Sequence, residues 1–162
     1  MDGSRWHLAQ VNIARAIAPL DSPRLADFVA NLEPVNALAD AAPGFVWRLQ
    51  SEEGDATSIR AYDDERIIVN LSVWDSVERL RDFVFGGLHI EVLRRRREWF
   101  EVLGEAYTAM WWVPAGTIPT VDEAKGRLAT LDANGPTPHA FTLRSPFPSP
   151  VDAAAEPGHA VR

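Results

Sequence analysis

From residue 6 to residue 14 apolar and polar side chains alternate, with Trp6, Leu8, Gln10 and Asn12 on one side and Val11 and Ile13 on the other. That period of two predicts a β-strand. Asp21-Ser22-Pro23 is a helix-start signal, a capping residue followed by Pro at the first helical position, and Leu25, Phe28, Val29 and Leu32 then recur at helical spacing. Pro34 is expected to kink or split this helix, which continues to Pro43-Gly44. Residues 45–50 alternate again, 51–57 form a polar turn, and 58–62 predict a short edge strand. The strongest strand is 66–74, with Ile67, Val69, Leu71 and Val73 on one face and Ile68, Asn70, Ser72 and Trp74 on the other.

Asp75-Ser76-Val77-Glu78 resembles a capping box and opens a helix through Phe85. Gly86-Gly87 breaks it, and a further helix is predicted over 88–103. Residues 106–113 read as a strand ended by Pro114 and Gly116, Thr120-Val-Asp-Glu123 as the cap of a helix to about Leu131, and 140–144 as a last short strand. The order β-α-β-(β)-β-α-α-β-α-β predicts an α+β domain, with helices on one face of an antiparallel sheet. One domain over residues 1–147 and a flexible Pro- and Ala-rich tail over 148–162 are expected.

The helix predicted from Leu88 carries two apolar stripes. His89, Leu93, Arg96, Phe100 and Leu103 form one, and Leu88, Val92, Arg95, Trp99 and Val102 the other. Arg94 and Arg97 fall toward the solvated side, while Arg95 and Arg96 lie amid apolar residues. A guanidinium keeps its charge, so an embedded one needs a carboxylate, carbonyls or an anionic ligand. Either the pair lays its stems on the core and reaches water or an internal carboxylate, or it contacts a ligand. His89 stands just after Gly86-Gly87, near a helix N-terminus that disfavours a positive imidazole, so it is a candidate base or ligand as well as a structural residue. Adjacent Trp111 and Trp112 must face opposite sides of their strand. Asn12, Gln10, Asn70, Ser72 and Arg48 are polar on otherwise apolar strands, and either find partners or orient a bound molecule.

A formal charge of −7 is the opposite of the basic balance a nucleic-acid binder carries. The absence of cysteine excludes disulfides, thiolate metal sites and a Cys nucleophile. No apolar run is long enough to span a membrane, and no secretory signal is visible, so a cytoplasmic protein is expected. No Gly-rich phosphate loop, His/Glu metal spacing or Ser-centred elbow is found.

Six stretches resemble the DUF3291 family: Leu8-Ala-Gln-Val-Asn-Ile-Ala14, Pro43-Gly-Phe-Val-Trp-Arg-Leu-Gln50, Asn70-Leu-Ser-Val-Trp-Asp-Ser76, Leu93-Arg-Arg-Arg-Arg-Glu-Trp-Phe-Glu101, Trp111-Trp-Val-Pro-Ala-Gly116 and Gly135-Pro-Thr-Pro-His-Ala-Phe-Thr142. The resemblance implies kinship with antibiotic-biosynthesis monooxygenases of the dimeric α/β-barrel type. It therefore implies a ferredoxin-like fold, a homodimer and a place in secondary metabolism. A haem-degrading branch is similar at Asn12, Trp74 and His89, although His89 lies further along than in that branch.

Three readings follow. The first is a cofactor-independent monooxygenase-like enzyme, or a related isomerase or cyclase, acting on a planar aromatic or polyketide-like small molecule. In it His89, Asn12 and Arg96 are catalytic, and Trp74, Arg95, Asn70, Trp47, Trp112 and Arg48 bind substrate. The second is a haem protein with His89 as axial ligand and the arginines on the propionates. The third is a non-enzymatic dimeric binding or accessory protein.

Overall fold

The computed structural model describes residues 5–51, 57, 59–104 and 106–154. Four strands, β1 (Trp6–Arg15), β2 (Phe45–Arg48), β3 (Ile67–Trp74) and β4 (Thr108–Pro114), form one antiparallel sheet in the order β2-β3-β1-β4. Helix α1 (Ala26–Ala41) links β1 to β2. Helices α2 (Val77–Val84), α3 (Gly87–Arg94) and α4 (Arg96–Trp99) link β3 to β4. This is the ferredoxin-like βαββαβ plan of an α+β protein. Helices α5 (Val121–Asn134) and α6 (Pro150–Ala154) follow the last strand.

Strand alternation and register divide the sheet into two faces. On one lie Ala9, Val11, Leu71, Val73 and Trp111, all at most 1% exposed, packed against Ala124, Leu128 and Leu131 of α5. The other carries Leu8, Gln10 and Asn12 of β1 against Trp74, Ser72 and Asn70 of β3. The one-sided helix layer expected from the element order holds for the crossover helices, and α5 covers the remaining face. Among the described residues no helix is long and apolar enough to cross a membrane.

Four local expectations are corrected. Pro34 does not split α1, because both Pro34 and Ala30, whose carbonyl loses its helical partner, are exposed to water. The edge strand expected at 58–62 is absent at 59–62. There the Lys125 ammonium donates to the Ala61 carbonyl at 2.8 Å and stands 4.5 Å over the Tyr62 ring. Ser58 lies outside the described residues, as do 52–56 of the expected polar turn. The helix expected over 88–103 stops at Arg94, turns at Arg95 and ends at Trp99. Beyond it Ile17 N–H bonds the Trp99 carbonyl at 2.8 Å and Glu101 N–H the Arg15 carbonyl at 2.9 Å, so pairing beside β1 displaces the last helical turns. The strand expected at 140–144 contracts to a two-bond bridge between Phe141 and Met110.

The segment after residue 147, expected as a tail, is docked at its start. Trp112 Nε1 donates to the Phe147 carbonyl at 2.9 Å, Ser149 is 6% exposed, and its hydroxyl caps α6 through Asp152 N–H at 3.1 Å. Residues 155–162 of that expected tail lie outside the described residues.

Candidate functional site

The helix-covered face is sealed at its two ends and open in the middle. At one end Leu8, Trp74, Met110, Val77, Leu80 and Phe141 form a buried cluster. At the other, Ala16, Leu25 and Trp99 form a second, with Phe28, Val92 and Phe100 against it. Between them Asn12 and Asn70 face each other directly across the two central strands, and both are exposed. Central strands normally carry apolar or partnered residues at such positions. Among the described residues no side chain holds the Asn12 carboxamide.

Two helices run from one cluster to the other on this side of the sheet, and the strip between them and the Asn pair is termed the trough. Helix α1 places Phe28, near its start, in the Trp99 cluster and its C-cap Ala42 against the Phe45–Trp74 cluster, and its 16 residues span roughly 24 Å at 1.5 Å per residue. Ala39 is its only buried residue. Helix α3 runs from His89, beside Phe83, to Val92 in the Trp99 cluster, and it packs against α1.

The floor next to the Asn pair is a hydrogen-bonded chain. Gln10 Nε2 donates to Asn70 Oδ1 at 2.7 Å and to Ser72 Oγ at 2.8 Å. Trp74 Nε1 donates to the same Ser72 oxygen at 2.9 Å. The Trp74 ring, 1% exposed, lies between Phe45 and Phe83 at centroid distances of 5.4 and 5.2 Å. It therefore anchors the floor through its indole nitrogen and presents no open face to a ligand.

His89 sits 5.0 Å from Phe83, centroid to centroid. Its Nδ1 pairs with the Val84 carbonyl at 2.8 Å, which makes that nitrogen the N–H and leaves a lone pair on Nε2. Burial pushes its pKa down, opposed by the bond to Val84, so the ring is neutral near pH 7. A neutral imidazole with one nitrogen tethered and a lone pair on the other is suited to accept a proton.

The arginines do other work. Arg95 donates to Asp27 at 2.8 Å and to Glu98 at 2.9 Å, and stacks 4.7 Å over Trp99. Its charge is held by two exposed carboxylates at the surface, so the guanidinium already has its counter-charges without a ligand. Arg96 is exposed and donates to the Leu93 carbonyl at 3.0 Å. It is not embedded, because the turn at Arg95 interrupts the helix whose spacing put it on the apolar stripe. Arg48 lies on the trough face opposite Ser72, its guanidinium bonded to Asp40 of α1 at 2.8 Å. Trp47 is displaced to the opposite face by the bulge between Phe45 and Trp47 and packs in the α5-side core, away from the trough. Trp112 shares the trough face but is occupied under Phe147. Asn12 and Asn70 are thus brought face to face, Trp74 is linked to Asn70 through Ser72 and Gln10, and His89 packs on Phe83 beside Trp74.

Gln10 and Ser72 are visible in the sequence as polar breaks in apolar strands, yet their link to Asn70 needs the strand register. Phe83, Asp27 and Asp40 carry no sequence signal of their roles. Among the described residues no group of three or more metal-ligating side chains forms.

Residues 7–157 match the family model described as Domain of unknown function (DUF3291). Comparison with curated proteins returned no match. Among solved structures the chain is similar to PA3566 from Pseudomonas aeruginosa (12% identity, 68% of this chain and 95% of that one, TM-score 0.45). It is also similar to NE2512, a protein of unknown function from Nitrosomonas europaea (16% identity, 72% and 98%, TM-score 0.43). A third is a mutant of SnoaB, a cofactor-independent oxygenase from Streptomyces nogalater (18% identity, 70% and 98%, TM-score 0.43).

Proposed function

The chain belongs to the DUF3291 family, and we propose that it is a small-molecule enzyme whose reaction begins with proton abstraction in the trough between sheet and helices. One observation carries this reading. Two facing carboxamides, Asn12 and Asn70, stand exposed at the centre of a sheet whose other face is filled by α5. His89 Nε2 takes the acidic C–H proton of a planar, enolisable substrate, and side-chain N–H groups of Asn12 and Asn70 hold the enolate oxygen. The electron-rich carbanion then reacts with dioxygen, or reprotonates elsewhere in an isomerase variant of the same chemistry. No charged side chain is needed at the reacting oxygen.

The arginines are not placed for haem propionates. Arg95, expected to pair a propionate, is committed to Asp27 and Glu98, and Arg96 points to solvent. The homodimer implied by the resemblance needs an interface other than the sheet face that α5 occupies.

Anthrone is a suitable probe, since its ring C–H is acidic and its oxidation balances as anthrone plus O2 giving anthraquinone plus water. Oxygen uptake above the buffer rate is expected. It should fall about 10²–10⁴-fold in His89→Gln and about 10²–10³-fold in Asn70→Ala. A His89→Gln protein that consumes oxygen at the wild-type rate removes the base from the mechanism.

A further inference from the structure

Gln10 lies in the sheet row adjacent to the Asn12–Asn70 pair and is 8% exposed. Both hydrogens of its amide are used, one on Asn70 Oδ1 at 2.7 Å and one on Ser72 Oγ at 2.8 Å. The indole nitrogen of Trp74 can only donate, so Ser72 Oγ accepts from it at 2.9 Å as well. Two polarities of this chain share the same heavy-atom positions. In one, the Gln10 nitrogen faces Ser72 and Asn70, the Asn70 oxygen is consumed, and Asn70 Nδ2 is left for the trough. In the other, the Gln10 oxygen accepts from both neighbours and Asn70 presents its carbonyl. The structure has the first.

We infer that Gln10 is a positioning residue. Braced by Ser72 and Trp74, it turns the Asn70 carboxamide so that an N–H donor, not a carbonyl, faces the trough. Asn70 then selects for an accepting oxygen, a carbonyl in the substrate and an enolate as the proton leaves. The chemical consequence rests on the proposed function, but the polarity itself does not.

Side-chain amide NMR of the 15N-labelled wild-type protein tests the polarity without any substrate. The Asn70 pair is identified by its loss in Asn70→Asp and the Gln10 pair by its loss in Gln10→Leu. The Gln10 amide protons are expected to exchange slowly and to show a nuclear Overhauser contact to the Trp74 indole proton, because both are aimed at Ser72 Oγ. The Asn70 amide protons are expected to exchange rapidly with water. Protected Asn70 protons with rapidly exchanging Gln10 protons overturn the inference. A second arm uses Gln10→Glu, whose ionised carboxylate only accepts and so draws Asn70 Nδ2 inward. Asn70 exchange should slow at least tenfold, and anthrone kcat should fall about 10²-fold with KM little changed, the mark of an interaction made in the transition state. Gln10→Leu, of similar volume and uncharged, supplies the comparison if the carboxylate variant does not fold. The exchange data decide the role of Gln10 alone. Absence of anthrone turnover in the wild type, with the expected exchange pattern intact, counts against the proposed chemistry alone.

Discussion

Replacing Ser72 by Ala removes one oxygen and strands two buried donors. Ser72 Oγ accepts from Trp74 Nε1 at 2.9 Å and Gln10 Nε2 at 2.8 Å, and Ser72 is 6% exposed. Gln10 keeps its bond to Asn70, so its loss is one net hydrogen bond of about 1 kcal/mol. The Trp74 N–H has no other partner among the described residues and sits in a ring that is 1% exposed. Leaving such a donor unsatisfied costs about 1–3 kcal/mol. Ser72→Ala is therefore expected to lose about 2–4 kcal/mol, a drop in Tm of roughly 4–16 °C at 2–4 °C per kcal/mol for a chain of this size. Urea unfolding followed by circular dichroism at 222 nm gives the free energy, with an unchanged m-value as the check on two-state behaviour. The same substitution made in a Trp74→Phe background closes a double-mutant cycle. With the indole donor already gone, Ser72→Ala should cost about 1–2 kcal/mol less there, within the range found for residues in contact. Equal costs in the two backgrounds, or a single-mutant loss under about 0.5 kcal/mol, would refute the claim that Ser72 is what holds Trp74 and Gln10.

Two further expectations concern titration. The His89 pKa is pushed below its ordinary 6.5, chiefly by burial, so the free base persists below that pH. The acid limb of anthrone kcat/KM should accordingly lie below pH 6.5, and a limb at or above that pH removes His89 as the base. The same shift bears on stability. Between 6.5 and the lower folded value the unfolded chain binds the proton first, so stability declines as pH falls through that window, and His7, lowered chiefly by its own burial, adds to it. Chemical denaturation at stepped pH values reads this, and its slope should flatten in His89→Gln. Arg95, by contrast, is structural: in Arg95→Met the Glu98 carboxyl, now held down chiefly by its bond to Arg95, should rise toward 4.5 in an NMR titration while anthrone turnover is kept. Collapse of turnover in a folded Arg95→Met protein would return that residue to the site.

Period-two alternation was sufficient to assign the faces of β1 and β3, because one side of each is uniformly apolar and the assignment depends on nothing distant. It was not sufficient to find that Asn12 meets Asn70, since that depends on the offset with which two antiparallel strands pair. Trp47 shows the limit most directly. Counting by twos from Phe45 puts it on the trough face, and a single bulge inverts the parity. The arginine stripe failed for a different reason. Helical spacing continues formally through Phe100 and Leu103, but Trp99 is 1% exposed and the chain beyond it bonds to Arg15 and Ile17, so tertiary pairing outweighs local periodicity. Asp27, the carboxylate that neutralises Arg95, lies 68 residues away and carries no local sign of its role.

The two faces of the sheet are built to different ends, and this asymmetry is the strongest physical reason to place the chemistry where Asn12 and Asn70 stand. On the α5 side, Ala124, Leu128 and Leu131 interlock with strand residues that are almost wholly buried, and Lys125 and Arg127 tether the helix to Ala61 and to the ring of Trp111. That side can supply stability. On the trough side, α1 contributes one buried residue and is fastened near its ends, by Asp27 with Phe28 at one and Asp40 at the other. A helix fastened at two points adds little to the core beneath it, since the apolar clusters that hold it lie toward its two ends. A ligand taken up at the two carboxamides, as proposed, would leave the main core intact, the division of labour that a binding site on a rigid scaffold requires.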